Sequence, residues 1–257
     1  MGDGKALAHG YRTLQNWDSW LTHEFLGSSL LKDESVLLAR LLKSHYGKHA
    51  LLLGVPGQQP LLQSIDIPCR TLMSPPIQHA YSKGIVESDF HELPILSGSI
   101  DLVILPHTLE FVDNPRQLLA EACRIVKPEG LIAVCGFNPY GTWGVKKWMS
   151  SHQTMPWAGN FIPSHKVKGW LRLADFALED QSAALFRPPL RHTALYQKLQ
   201  FIEKIGHTCF SIIGGAYILL ARAKVIPLTP IKMKWKQQLS GIRISSTISG
   251  HIARRTK

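Results

Sequence analysis

The 257-residue sequence has few cysteines, and none is spaced as metal ligands usually are. Cys69, Cys123, Cys135 and Cys209 form no C-x-x-C pair. The sequence therefore predicts neither a zinc site, nor any other metal site, nor a disulfide framework. We expect free thiols, as in a reducing compartment.

Long apolar segments are also missing. The longest apolar run, 209–221, contains two glycines and is shorter than the roughly 20 residues that span a bilayer. The first residues form no apolar signal core, and Ala6 stands where a myristoylation signal has Ser or Thr. These absences favour a cytoplasmic protein with no transmembrane segment.

Acidic residues are scarce beside the basic ones. The sequence has 29 Lys and Arg against 18 Asp and Glu, which gives a formal net charge of +11. Acidic residues are missing altogether after Pro227, so 224–257 reads as a basic C-terminal tail. Such a tail favours polyanions such as nucleic acid or lipid headgroups, and a purely solubilising role is the alternative.

The sequence also lacks a G-x-G-x-x-G loop, which disfavours a nicotinamide-dependent dehydrogenase. A different loop, Gly54-Val55-Pro56-Gly57, follows a short apolar strand at 49–53. Pro56 and Gly57 suit the two central positions of a type II turn, in which the glycine takes a positive φ.

Alternating strand and helix patterns run through the rest of the chain. Asn114 can cap a helix, Pro115 suits its first position, and Gln117 stands where a capping box has its partner. A strand at 100–105, this helix and a strand at 131–137 form a βαβ unit, which predicts a parallel α/β sheet. Further strands are predicted at 69–73, 84–87, 178–183 and 217–222, and further helices at 33–42, 164–176 and 195–205.

Four segments in the middle of the chain carry a resemblance to a known family. They are DFHELP (89–94), SIDLV (99–103), LEFVDNP (109–115) and RIVKPEG (124–130). Together they resemble the type 11 group of class I S-adenosylmethionine-dependent methyltransferases, and the resemblance covers about 33–223. The flanking segments are similar to a bacterial branch of that group.

The resemblance implies a Rossmann-like α/β fold with a mostly parallel seven-stranded sheet and helices on both faces. A helical segment over 1–47 would precede the methyltransferase domain at 48–223, which would hold an insert at about 185–214. The cofactor would be S-adenosyl-L-methionine, bound at the carboxyl ends of the strands.

The resemblance also assigns roles to particular residues. Gly54 and Gly57 would let the backbone approach the methionine part of the cofactor. Asp89 would accept a hydrogen bond from the adenine amino group. The remaining cofactor-binding positions would be Val55, Pro56, Ser74, Phe90, Pro106, His107 and Thr108.

His107 is the best-placed base, because the methyl group and the acceptor meet after strand 4 in this family. The alternative is a histidine that bonds to backbone at a strand end, and Glu110 is interpreted as a structural charge. On the acceptor side we expect Asn138, Tyr140, Arg187 and Arg191. A solvated charged face is the alternative for the arginines.

The sequence departs from the family pattern in its cofactor loops. Leu52 replaces an acidic residue, Pro56 and Gln58 replace glycines, and Met73-Ser74-Pro75 replaces the acid that ends strand 2. Two functions therefore stay open. One is methyl transfer to a small-molecule or lipid-like acceptor. The other is a non-catalytic binding module, with nucleic acid as a partner of the basic surface.

Overall fold

The computed structural model of the chain describes residues 3–76, 84–149, 154–189 and 214–225. Its strands are β1 (His49–Leu53), β2 (Cys69–Ser74), β3 (Ile85–Glu87), β4 (Ile100–Pro106), β5 (Val126–Phe137), β6 (Phe176–Ala184) and β7 (Ala216–Ala223). Its α-helices are α1 (Asp3–His23), α2 (Phe25–Leu42), α3 (Gln59–Gln63), α4 (Pro115–Ile125), α5 (Thr142–Met149) and α6 (Ser164–Leu173). Single 3₁₀ turns cover Pro56–Gln58 and Thr108–Glu110.

The strands form one seven-stranded sheet in the order β3-β2-β1-β4-β5-β7-β6. The pairs from β3 to β5 are parallel, whereas β7 runs antiparallel to both of its neighbours. This mostly parallel sheet confirms the predicted class I methyltransferase fold. The chain leaves β1 towards β2 and later returns to β4 on its other side, so a crevice is expected at the carboxyl ends of β1 and β4.

The central strands are apolar along nearly their whole length because both faces of the sheet are covered. Residues 50–53 of β1, 102–106 of β4 and 131–137 of β5 are all buried. These near-continuous runs predicted most strand ends to within a residue or two. Strand β5 begins earlier than predicted, because Val126 already pairs with Ile100 of β4. At the carboxyl ends the same runs lead directly into the loops of the candidate site.

Helix α4 begins as its sequence predicted. The backbone N–H of Gln117 donates to Oδ1 of Asn114 at 3.2 Å, and Pro115 holds the first position. The Gln117 side chain does not complete a capping box: its oxygen accepts from the Asn114 amide, and its Nε2 donates to the carbonyl of His91. Gln117 therefore ties α4 to the loop after β3.

The amino-terminal helices differ from the prediction. The helix expected at 33–42 is the second half of α2, which begins at Phe25, so Asp33 is an interior residue and not the start of the helix. Helix α2 packs closely on α1 at Gly27, where a Cβ would lie 2.5 Å from the carbonyl oxygen of Trp20. Helix α5 was not predicted.

Two predicted regions lie mostly outside the described residues: the insert with its helix at 195–205, and the basic tail. In the sequence, the insert comes after β6 and the basic tail after β7. Among the described residues, none of the helices combines the length and apolarity that a bilayer-spanning segment needs.

Candidate cofactor cleft

The loop after β1 does not form the predicted type II turn. Gly57 lacks the positive φ that this turn requires at its third position, and Pro56–Gln58 instead forms a 3₁₀ turn. Its backbone bond runs from the N–H of Gln58 to the carbonyl of Val55 at 2.9 Å. The tighter turn folds the Gln58 side chain back towards the sheet.

The side chain of Gln58 bridges the ends of two neighbouring strands. Its Oε1 accepts from the N–H of Val55 at 3.0 Å, and its Nε2 donates to the carbonyl of Pro106 at 2.6 Å. A Cβ added at Gly54 would lie 2.2 Å from Oε1 of Gln58. Gly54 is therefore in close contact with this amide, which is itself 1% exposed.

Helix α1 provides the second partner of the same loop. Oδ1 of Asp18 accepts from the N–H of Gly57 at 2.6 Å, and the whole Asp18 residue is buried. On the β4 side, the Thr108 hydroxyl donates to the carbonyl of Leu53 at 2.5 Å. The backbone donors of Val55 and Gly57 are thus both bonded to protein side chains.

The methionine half of S-adenosylmethionine does not fit this arrangement. The resemblance requires an open face at Gly54 and an accessible backbone at Gly57, but Gln58 and Asp18 occupy them. Leu52, where the family has an acid, is fully buried and offers no polar atom on its side chain.

The adenosine side of the cleft differs. The side chain of Asp89, just beyond β3, is 46% exposed. Its Oδ1 accepts from the N–H of His91 at 2.9 Å and lies 2.7 Å from Nδ1 of the same residue. Phe90 is buried, and the buried Ser74 hydroxyl donates to the carbonyl of Pro75 at 3.2 Å. Of the three predicted cofactor-binding residues Ser74, Asp89 and Phe90, only Asp89 presents an accessible side chain.

The fully buried side chain of His107 lies between two carboxylates that are also buried. Nε2 is 2.7 Å from Oε1 of Glu34, and Nδ1 is 2.8 Å from Oε2 of Glu110. Burial opposes the charged ring, but the two facing carboxylates outweigh it and raise the pKa of His107 to about 10. At neutral pH both nitrogens therefore carry protons and donate.

This geometry does not support the prediction that His107 is a base, because a protonated imidazole cannot accept another proton. The alternative prediction was that the His107 ring bonds to backbone at the strand end. Both of its nitrogens instead bond to the side chains of Glu34 and Glu110. Glu110 joins the same network: its Oε1 accepts from the N–H of Phe137 at 2.6 Å, and burial raises its pKa. The network thus links α2 to the ends of β4 and β5, which agrees with a structural charge at Glu110.

The acceptor-side residues do not converge on one point. The amide of Asn138 donates to the carbonyl of Gly214 and accepts from the N–H of Tyr140, whose ring is largely exposed. Arg187 is 5% exposed and pairs with Asp33 of α2, so a solvated face is wrong for it. Arg191 lies outside the described residues.

Aromatic rings cover the carboxyl ends of β4 and β5. The Trp17 ring centroid lies 4.6 Å from that of Phe111 and 6.0 Å from that of Phe137. Phe137 in turn stacks on Phe161 at 4.7 Å. We call Trp17, Phe111, Phe137, Trp143, Trp157 and Phe161 the aromatic rim.

Sequence reasoning missed Trp17, Asp18 and Glu34. The first two precede the span of the resemblance. Glu34 had a readable signal, because it falls on the buried stripe of α2 formed by Leu30, Leu31, Leu37 and Leu38, where a charged residue is unusual.

The opposite, amino edge of the sheet carries a cleft of about 370 Å³. Two ion pairs lie at this cleft: Lys127 with Asp101 at 2.8 Å, and Arg222 with Glu179 at 2.9 Å. Within the described residues, no group of three or more His, Cys, Asp or Glu side chains could hold a metal ion.

Comparison with known proteins agrees with the fold. Residues 69–134 match the family model described as a methyltransferase domain. The matched segment therefore carries the sequence pattern of a type 11 methyltransferase domain, and it lies within a fold of the class I methyltransferase type. A curated relative, the Escherichia coli K12 protein YafS, described as uncharacterized, is 26% identical over 202 residues, which are 77% of this chain and 78% of that protein.

Several solved structures share the fold at low identity. A Thermotoga maritima S-adenosylmethionine-dependent methyltransferase, described as a possible histamine N-methyltransferase, gives a TM-score of 0.57 at 17% identity over 81% of this chain and 99% of that one. A chain from the complex of the Haloferax volcanii Trm112 methyltransferase activator with a proposed methyltransferase gives a TM-score of 0.59 at 12% identity. The match covers 83% of this chain and 98% of that chain.

The [4+2]-cyclase SpnF gives a TM-score of 0.50 at 17% identity, over 75% of this chain and 80% of that chain. By its name this protein catalyses a different reaction. The fold alone therefore does not decide the chemistry, which must be argued from the site.

Proposed function

We propose that the protein is an S-adenosylmethionine-dependent methyltransferase that acts on a small-molecule or lipid-like acceptor. The observation that carries the proposal is the match of 69–134 to the methyltransferase domain, since this segment forms β2, β3, β4 and most of β5, and so includes the end of β4 at the crevice. Asp89, at the adenosine side of that crevice, is accessible to a ligand.

The aromatic rim supports an apolar or planar acceptor. Phe111 of this rim follows β4, where the resemblance places the acceptor beside the methyl group, and aromatic side chains bind apolar ligands and exclude water. Most of the rings are buried against one another, and Phe161 is partly buried. Lys147 lies 4.4 Å above the ring centroid of Phe161 and donates to the carbonyl of Gly159. A cation at this point would also suit an acceptor with an anionic group.

When bound, S-adenosylmethionine would supply an electrophilic methyl group. Methyl transfer requires in-line positioning, and a base only if the attacking atom carries a proton. Both ring nitrogens of the His107 imidazolium are hydrogen-bonded to carboxylates, so His107 does not accept a proton from the acceptor. The Glu34–His107–Glu110 network instead fixes the position of the β4 and β5 ends.

A non-catalytic binding module is the second candidate, and the first loop favours it. Gln58 and Asp18 occupy the positions that the methionine half of the cofactor would use. The +11 net charge suits a nucleic-acid partner, and salt-dependent retention of RNA or DNA that is lost on removing 227–257 would identify one.

Calorimetry of the full chain with S-adenosylmethionine and S-adenosylhomocysteine separates the candidates. Binding is the expected result. If neither the full chain nor a folded variant in which Asp18 and Gln58 are replaced gives heat at millimolar ligand, the methyltransferase proposal is overturned. Turnover with a labelled methyl group on any acceptor would exclude the non-catalytic module. Mass spectrometry of ligands that co-purify with the chain would identify the acceptor class directly.

A further inference from the structure

Two adjacent residues of α1 cover the carboxyl edge of the sheet. Asp18 bonds the N–H of Gly57 at 2.6 Å, while Trp17 packs on Phe111 and on the His107 ring, whose centroid is 5.6 Å away. Trp17 is 1% exposed and Asp18 7% exposed. Helix α1 therefore touches both the first loop and the aromatic rim.

The chemistry of these contacts resembles that of a bound ligand. Backbone N–H groups of a glycine-containing loop bond carboxylates, and a carboxylate is the anion that the methionine end of the cofactor would bring. Asp18 supplies a carboxylate to the N–H of Gly57. The primary amide of Gln58 fills the space against Gly54 and bonds the N–H of Val55.

We infer that α1 and Gln58 form an internal cap of the cofactor cleft. Asp18 takes the place of the cofactor carboxylate on Gly57, Gln58 takes up the room beside Gly54, and cofactor binding requires both to move. This inference rests on the proposed function, and it makes docking of α1 and binding of the cofactor mutually exclusive.

The docked state of α1 leaves one polar group unsatisfied. The indole Nε1 of Trp17 is buried without a hydrogen-bond partner. Burying an unpaired donor is costly, and water would bond it if α1 moved away. The bond between Asp18 and Gly57 adds to the burial of Leu14, Trp17 and Leu21 in holding α1 on the cleft, and it is the contact that acts directly on the first loop.

The cap reduces apparent affinity by the fraction of molecules in which the cleft is closed. Losing one charge-assisted bond should shift that fraction enough to change the dissociation constant by about tenfold. Asp18→Ala and Gln58→Gly should each tighten binding by this factor, and the double variant should bind most tightly.

The test is calorimetry with S-adenosylhomocysteine on full-length variants. Asp18→Asn keeps an oxygen acceptor without the charge, so a smaller gain is expected than for Asp18→Ala. Asn16→Ala is the matched control, because Asn16 is an exposed residue of the same helix, and it should bind as the unmodified chain does.

Hydrogen–deuterium exchange gives a second reading. In the unmodified chain, S-adenosylhomocysteine should increase exchange over 12–23, and Asp18→Ala should raise exchange there without ligand. This measurement also shows whether each variant keeps the protection of β4 and β5, and hence its fold.

The outcomes separate the inference from the function on which it rests. The cap is overturned if the unmodified chain binds as tightly as Asp18→Ala and Gln58→Gly, and if the ligand does not change hydrogen–deuterium exchange in α1. The methyltransferase proposal would stand in that case. If no variant binds at millimolar ligand, including the folded double variant, both are overturned.

Discussion

Nε2 of His107 lies 2.7 Å from Oε1 of Glu34, a residue 73 positions earlier in the chain. This contact joins α2 to the end of β4 through two groups with almost no exposed surface. Because the ring also contacts Glu110, one buried cation serves two carboxylates, and removal of any member leaves a buried group without its partner.

Glu34→Ala should lower the free energy of unfolding by about 3–5 kcal/mol, since it leaves the buried imidazolium with one carboxylate and opens a cavity. Urea denaturation at neutral pH measures the change. Glu24→Ala is the control: Glu24 is exposed and makes no capping bond, so its effect should stay within about 0.5 kcal/mol. Equal losses in both variants would contradict the role of the network.

The stability of the chain should fall as pH rises above neutrality. The folded pKa of His107, about 10, exceeds its ordinary value of 6.5, so its stabilising contribution is complete below pH 6.5 and disappears as pH passes 10. Between these values the slope is at most about 1.4 kcal/mol per pH unit. Burial raises the pKa of the Cys123 thiol to about 12, which adds a further loss of stability at high pH, so the quantity to measure is the difference between the unmodified chain and His107→Gln. A constant difference from pH 6 to 10 would contradict the raised pKa.

Asp89→Ala should weaken S-adenosylhomocysteine binding by about 1–3 kcal/mol, because the proposed adenine amino group would lose its acceptor. Calorimetry checks this, with Asp66→Ala as an exposed control before β2. Unchanged affinity in Asp89→Ala would remove Asp89 from the site.

Two glycines should respond to alanine in opposite directions. Gly27→Ala would place a Cβ 2.5 Å from the Trp20 carbonyl oxygen and 2.7 Å from Cα of Leu21, so α1 and α2 must separate. We expect a loss of about 1–3 kcal/mol. Gly169, in α6, has no atom within 4 Å of an added Cβ, so Gly169→Ala should gain about 0.4–1 kcal/mol. Thermal denaturation of both variants tests the pair, and a loss in Gly169→Ala would show that the space around it is misjudged.

The strands were predictable because their signal is local. A buried strand such as β4 needs a continuous apolar run, and Asn114-Pro115 marks the start of α4 without reference to distant residues. The start of α2 was not predictable in the same way, because its first turn has neither a side-chain cap bond nor an acidic residue.

The candidate site was harder to predict because distant residues complete it. Pro56-Gly57 has the local pattern of a type II turn, but Gln58 and Asp18, which is 39 positions from Gly57, bond the loop in another conformation. His107 was located at the correct edge of the sheet. Its charge state depends on Glu34, whose approach only the tertiary structure reveals.

Trp17 and Trp20 stack with ring centroids 5.2 Å apart and planes inclined by 14°. Indole transition dipoles at this separation couple, which produces a paired positive and negative band in the circular dichroism spectrum. Because Trp17 is held against Phe111 while Trp20 is only partly buried, a change in how α1 sits would alter that coupling. Trp143 and Trp157, with ring centroids 5.8 Å apart, couple as well, so the part of the signal that Trp20→Phe removes is the native optical probe of the amino-terminal helix.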